Sequence, residues 1–257
     1  MNYNLHTHTY RCTHATGTER EYIDRALSCG VKVMGFSDHI PFRFPDGYES
    51  YYRIPLAQVE DYFETLKALR EEYQDRIQIH IGFEMEYYPL YFQEMLENAK
   101  RFGAEYLILG QHFLNNEHPD GQSATAMDKD PAHLKEYVDC VVAGIKSGVF
   151  TYVAHPDIFN FAGEDSVYLS EMKRICDASL EYNIPLEINF LGIRSQRRYP
   201  RELFWELVGQ TGAPVTFGFD AHDILAAYDE KSLRVAESWV QKYHLNYVGM
   251  APIIPIK

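Results

Sequence analysis

A chain of 257 residues, 46% hydrophobic and 24% charged, is long enough to bury a large core, and residues 1–257 read as a single domain of the barrel size class. The formal net charge of −13, with no lysine and arginine stripe interleaved with aromatics, argues against nucleic acid as the main partner. No apolar run approaches the ~18 residues of a membrane span, and the histidine-rich N-terminus lacks the apolar core of a signal peptide. The cysteines Cys12, Cys29, Cys140 and Cys176 are scattered without a Cys-x-x-Cys pair, which points to free buried thiols in a reducing compartment. The expectation is a cytoplasmic enzyme, with no membrane association and its oligomeric state left open.

Runs of β-branched and aromatic residues alternate with stretches of helical periodicity. In chain order, strand Tyr3 to His6 leads to helix Glu19 to Cys29, strand Val31 to Ser37 to helix Leu56 to Arg76, and strand Ile77 to Glu84 to helix Leu90 to Arg101. Strand Tyr106 to Gly110 precedes helix Ala132 to Lys146, and strand Phe150 to Ala154 precedes helix Val167 to Glu181. Strand Leu186 to Phe190, helix Arg201 to Leu207, strand Val215 to Phe219, helix Leu225 to Tyr243 and a weaker strand Asn246 to Met250 complete the series. The second helix shows the i, i+3, i+4, i+7 stripe at Leu56, Val59, Tyr62, Phe63, Leu66 and Leu69. Strictly alternating strands and helices predict a parallel α/β fold, and without a G-x-G-x-x-G turn a closed barrel is favoured over an open doubly wound sheet. Pro41 to Pro55 and Asp120 to Asp130, rich in turn residues, read as long loops over the barrel mouth.

The histidines acquire meaning on this strand map. His6 and His8 stand two apart in "YNLHTHTYRCTH", a spacing that places both side chains on one face of an extended chain. His6 and His8, then Asp38 and His39 in "GFSDH", Glu84 in "IGFEMEYY", His112 in "LILGQHFL", His155 in "YVAHPD", and Asp220 with His222 in "FGFDAHD" all fall at carboxyl ends of predicted strands. In a β/α barrel those ends converge on one mouth. Imidazoles and carboxylates gathered there suit divalent Zn, Fe or Mn, and nine candidate ligands are too many for one tetrahedral ion. On spacing alone His14 stays open, since it lies beyond the strand in "RCTHATG". His80, His118, His133 and His244 fall mid-strand, in a loop or on helices and read as surface or packing residues, and Cys12 reads as a packed thiol.

"LHTH", "SDH", "GFEMEY", "GQHFL", "AHPD" and "FDAHD", in this order from Asn4 to Asp223, resemble the polymerase and histidinol phosphatase (PHP) family. The resemblance implies an α/β fold, a distorted (β/α)7 barrel of TIM-like form, with two or three divalent transition metals at its mouth. Carried over by position, it implies one ion held by His6, His8, Glu84 and Asp220. Glu84 would bridge to a second ion held with His112 and His155, and a third would take His14, His39 and His222. The segment "EINFLGIRSQRRYP" resembles stand-alone phosphatases of that family at Glu187, Asn189, Gly192, Arg194, Tyr199 and Pro200, whereas Phe190 and Leu191 replace a Thr-Ser pair. The implied substrate is a small phosphorylated molecule, foremost L-histidinol phosphate, attacked by a hydroxide shared between metals. Asp220, His222 and Arg194 are then the groups expected at the reacting centre, with Arg194 and Arg198, or Arg197, holding phosphate by a planar fork. Asp38 and Asp157 are expected to orient ligand histidines. A nucleotide or oligonucleotide phosphoesterase is the alternative on the same scaffold. A metal-dependent amide hydrolase is disfavoured because no strand end carries the lysine that commonly bridges such metals, and a non-catalytic scaffold because the ligand set is full.

Overall fold

The architecture follows from how few backbone bonds each short strand can make alone. In a computed structural model describing residues 1–256, β1 (Tyr3–Asn4), β2 (Val33–Phe36), β3 (Gln78–Met85) and β4 (Tyr106–Leu109) pair in parallel in that order. A second parallel set joins β5 (Leu186–Asn189), β6 (Pro214–Gly218) and β7 (Asn246–Tyr247). Val153 bridges Leu109 on one side and Leu186 on the other, and Thr7 bridges Ala221. The ring therefore closes through β1, β2, β3, β4, the Val153 segment, β5 and β6, the expected distorted seven-stranded barrel.

Two expected strands differ from this outcome in instructive ways. Phe150 to Ala154 forms bridges and not a regular strand, although Thr151 and Ala154 donate to Leu107 and Leu109, and Val153 donates to Pro185. It is cut short because His155 turns left-handed at φ 31°. The first strand stops at Asn4, not His6, because the Asn4 carboxamide accepts from the His6 amide at 3.0 Å and donates to Thr7 at 2.8 Å. A side chain that satisfies the backbone locally competes with the ladder.

The helices match the sequence reading in place and differ at their ends. α1 (Glu19–Ser28) opens with a reciprocal capping box between Thr18 and Glu21. α2 (Val59–Tyr73) starts after a 3-10 turn at Leu56–Gln58, and α3 (Phe92–Phe102), α4 (Pro131–Ser147) and α5 (Asp165–Tyr182) follow. A short α6 (Phe190–Arg194), absent from the sequence reading, starts where the Asn189 side chain accepts from the Gly192 amide at 3.0 Å. After α7 (Glu202–Thr211), the expected last helix divides into a 3-10 turn, Leu225–Ala227, and α8 (Glu230–Lys242), capped by Asp229. Among the described residues no helix is long and apolar enough to cross a membrane.

The helices bury their apolar faces on the outside of the barrel, and a separate small core fills its interior: Leu5, Tyr106, Ile108, Tyr152, Ala154 and Ala251. Tyr106 crosses that interior from β4 to β1, its hydroxyl donating to the Leu5 carbonyl at 2.8 Å. Its hydroxyl occupies the space a Cβ would need at Gly35, and its backbone carbonyl and ring the space at Gly82, so those glycines let the crossbar and the strand that carries it fit. Overpacking a filled core typically costs ~1–3 kcal/mol. Gly82→Ala is therefore expected to lower unfolding free energy by about that amount in urea melts, and an unchanged midpoint would show that the crossbar relaxes freely.

Candidate metal centre

The carboxyl ends of the strands deliver the site. Glu84, the penultimate residue of β3, is buried and is approached by five imidazoles. His8 Nε2, His39 Nδ1 and His6 Nε2 lie 3.2, 3.4 and 3.5 Å from its Oε2, while His155 Nε2 and His112 Nε2 lie 2.9 and 3.5 Å from Oε1. Asp220 Oδ1 stands 3.6 Å from both His6 and His8 and 3.1 Å from His222 Nδ1. The loop after β1 folds back, so that His14 Nε2 meets His222 Nε2 at 3.0 Å, within the cluster. All nine candidates are brought together. His80, His118 and His133 instead face Glu105, Asp46 and Asp128, and His244 is exposed, all away from it.

These residues fit divalent metal. His6 Nε2, His8 Nε2, His39 Nδ1 and Asp220 Oδ1, which all face Glu84 or one another, are buried without a hydrogen-bond partner. An unsatisfied buried polar atom ordinarily costs ~1–3 kcal/mol, and a native core leaves few of them. Their concentration at one point, as imidazole nitrogen and carboxylate oxygen, is the donor chemistry of Zn, Fe or Mn. Ligand-like groupings overlap: His6, His8 and Glu84; His6, His155 and Asp220; His39, Glu84 and His112; His8, His39 and His222. His39 thus stands between the second and third sets implied by the family resemblance rather than in the third alone.

The imidazoles decide the charge state of the two carboxylates. Burial opposes ionisation of Glu84, yet His112, His6 and His39 outweigh it and hold the carboxyl well below the usual range. Burial likewise opposes ionisation of Asp220, and His6 and His222 reverse it. Burial and the neighbouring His222 press His8 down to about 3, leaving a neutral imidazole with its lone pair available.

The supports of the ligands are different from those expected. Asp38 accepts from the amide and hydroxyl of Thr9 at 2.8 and 3.0 Å, and Asp157 from the Arg201 amide and the Trp205 indole; neither is hydrogen-bonded to a ligand histidine, although Asp38 lies within 4.8 Å of a His8 nitrogen. Glu187 Oε1 takes His6 Nδ1 at 2.8 Å, and Glu86 Oε1 takes His112 Nδ1 at 2.9 Å. Each fixes the tautomer that leaves Nε2 aimed inward. The His14 ring is held by the Cys12 carbonyl at 2.6 Å, and Cys12 itself is a packed thiol whose pKa is raised by burial. A Cβ at Gly110 would occupy the place of the Glu84 carboxylate, and one at Gly218 that of Glu187. His155 and Asp220 adopt left-handed backbone at φ 31° and 46°, strain of ~1–3 kcal/mol that persists only where the surroundings impose it.

Above the cluster lies a cavity of ≈ 320 Å³. Both long loops reach it, one through Tyr52 and the other through Ser123 and Thr125. The arginine expectation needs correction. Arg194 does not line the cavity; its guanidinium donates to the carbonyls of Phe219 and Asp220 at 2.6 and 2.5 Å, bracing the strained turn that carries Asp220. Arg198 is exposed and also lies off the cavity wall, whereas Arg197 lines it, 3.0 Å from the Tyr199 hydroxyl. Because α6 curls the segment after β5, residue spacing alone could not say which of the three arginines turns inward.

A seven-stranded parallel barrel with a histidine and carboxylate cluster at its carboxyl mouth defines a metal-dependent hydrolase scaffold. The PHP domain profile matches residues 4–190, so the chain belongs to the PHP domain family. Relatives include a probable histidinol-phosphatase of Deinococcus radiodurans, 28% identical over 225 residues, covering 84% of this chain and 85% of that protein. Another from Schizosaccharomyces pombe is 24% identical, with 84% of this chain and 79% of that one covered. Among solved structures, the histidinol phosphate phosphatase of Lactococcus lactis, complexed with zinc, L-histidinol and phosphate, superposes with a TM-score of 0.74. It shares 19% identity and spans 100% of this chain and 98% of its own.

The glycine fit carries a test that removes no ligand. Gly110→Ala should displace the Glu84 carboxylate and lower bound metal in elemental analysis; Gly103→Ala, whose Cβ meets open space but whose left-handed φ of 88° at the end of α3 costs stability, is the comparison for a general loss of stability and should keep its metal. Full metal content in Gly110→Ala would place the centre elsewhere.

Proposed function

We propose that this chain is a metal-dependent phosphomonoesterase that hydrolyses L-histidinol phosphate to L-histidinol and phosphate, with residues 1–257 acting as one catalytic domain. The observation that carries the reading is the cluster of unpartnered buried donors around Glu84 at the floor of the cavity, in a chain whose relatives bear histidinol-phosphatase names. His6, His8, His14, His39, Glu84, His112, His155, Asp220 and His222 would hold two or three divalent ions, Zn, Fe or Mn. Such ions, when bound, polarise the phosphoryl group and the attacking water and offset charge on the departing oxygen.

The chain's own groups then divide the work. The attacking water adds to phosphorus as the bond to the alcohol oxygen breaks, and that oxygen leaves with a proton. Glu84 and Asp220 are anionic and would repel phosphate in a protein of charge −13 unless cations lay between them, so the donor cluster and phosphate binding are interdependent. Arg197 enters from the rim and offers a planar fork to phosphate oxygens, and the hydroxyls of Ser123 and Thr125 face the same space. Tyr52, Phe113, Ile158 and Leu191 line the same cavity and offer an apolar surface for the carbon and ring portion of the alcohol. Free cysteines throughout suit a reducing compartment such as the cytoplasm.

Phosphate release from histidinol phosphate, mononucleotides and sugar phosphates, with metal analysis of the same samples, tests the reading. Histidinol phosphate is expected to give the highest kcat/KM, with two or three ions per chain; a mononucleotide preference would transfer the scaffold to the alternative substrate class. Replacing a charged hydrogen-bond fork worth ~1.5–3 kcal/mol lowers turnover about ten- to a hundredfold. Arg197→Lys should lose that much kcat/KM at unchanged metal content, whereas His80→Ala should alter stability more than turnover. Arg194→Lys should instead loosen the Asp220 turn and lower metal content, and a pure kcat/KM loss there would restore Arg194 to the phosphate.

A further inference from the structure

Outside the ligand cluster the densest buried charge in the molecule surrounds Arg53, which sits in the long loop between β2 and α2. Its guanidinium is 2% exposed and donates through Nη2 to Glu86 Oε2 at 2.6 Å and Glu117 Oε2 at 2.5 Å. Nε reaches Glu117 Oε1 at 2.9 Å, and Nη1 the Ile40 carbonyl at 3.0 Å. Glu117, from the loop after β4, also accepts from Ser50, Tyr52 and Tyr88. One guanidinium therefore latches both mouth loops to the barrel rim.

The other oxygen of Glu86 is the one that takes His112 Nδ1 at 2.9 Å. We propose that Arg53 is a positioning residue for the metal centre, acting through Glu86 to hold His112, so that affinity for one ion depends on the closed arrangement of the mouth loops. The inference rests on the metal-dependent reading above. The argument is one of valence. With Arg53 holding Oε2, the carboxylate has a single orientation, Oε1 must receive the His112 Nδ1 proton, and Nε2 faces Glu84 at 3.5 Å. Without Arg53, the fully buried Glu86 would keep an uncompensated oxygen and be free to rotate, and the His112 tautomer would no longer be dictated. Glu187 has the same design, since its Oε1 takes His6 and its Oε2 accepts from the His155 amide at 3.1 Å and the Asn189 carboxamide at 2.9 Å. There the fixing donors come from the barrel; for Glu86 the fixing donor comes from a loop.

Zinc alone, titrated by chelator competition into the metal-stripped full chain, tests this independently of turnover. Arg53→Lys keeps the charge and loses the fork that reaches both carboxylates, and should weaken one zinc of the set about ten- to a hundredfold while leaving the others unchanged, the range for outer-shell partners of ligands. Glu86→Gln, which keeps the shape and removes the charge, should reproduce the same selective loss, and it decides the matter if Arg53→Lys fails to fold. A purely structural role would lower the melting temperature while leaving zinc affinities intact or weakening all of them together, and either pattern overturns the proposal. Failure of the unmodified chain to bind zinc at all would overturn the metal-dependent reading itself, and this inference with it.

Discussion

Everything at the mouth of this barrel is organised by one carboxylate that five imidazoles approach from opposite sides. A buried anion is tolerated only when cationic or hydrogen-bonding partners surround it on every lone pair. For Glu84 those partners come from the ends of four other parts of the ring, so the strand order is a condition of its burial. Gly110 clears the space the carboxylate occupies, and the left-handed turn at His155 swings an imidazole back onto it. A buffer of second carboxylates, Glu86 and Glu187, then settles which imidazole nitrogen faces inward.

The sequence was informative wherever a local pattern has a fixed geometric meaning. Alternation of apolar runs predicted the ring, and the position of a residue at a strand's carboxyl end predicted convergence, so eight of the nine candidate ligands could be named from position alone. His14 is the exception among them, since a loop has no period; only the family resemblance placed it with His39 and His222, and the structure brings it against both.

What spacing could not supply was the identity of supports and rim groups, because those depend on how side chains fold across the ring. Asp38 and Asp157 adjoin ligand histidines in sequence, which made them plausible partners, yet each turns to a loop or helix amide instead. Glu86 lies two residues beyond Glu84, just past the end of β3, and Glu187 lies on β5; period-two reasoning carried past Glu84 and applied to acids as well as histidines would have found Glu86. The arginine cluster failed for another reason. Arg194 rested on the family resemblance, and the one-turn helix at Phe190–Arg194, which rotates successive side chains by about 100°, leaves spacing no means of choosing among Arg194, Arg197 and Arg198.

The bridge between Thr7 and Ala221 has a consequence for how such a protein is made. His14 and His222, which meet across that seam, are 208 positions apart, and His6 waits for Asp220 in the same way. During synthesis the first histidines leave the ribosome long before their partners exist, and long-range pairings of this kind form late because loop closure precedes any reward. The emerging chain thus presents His6 and His8 without Asp220, and the part of the site that they share with it is completed only when nearly the whole ring has been translated.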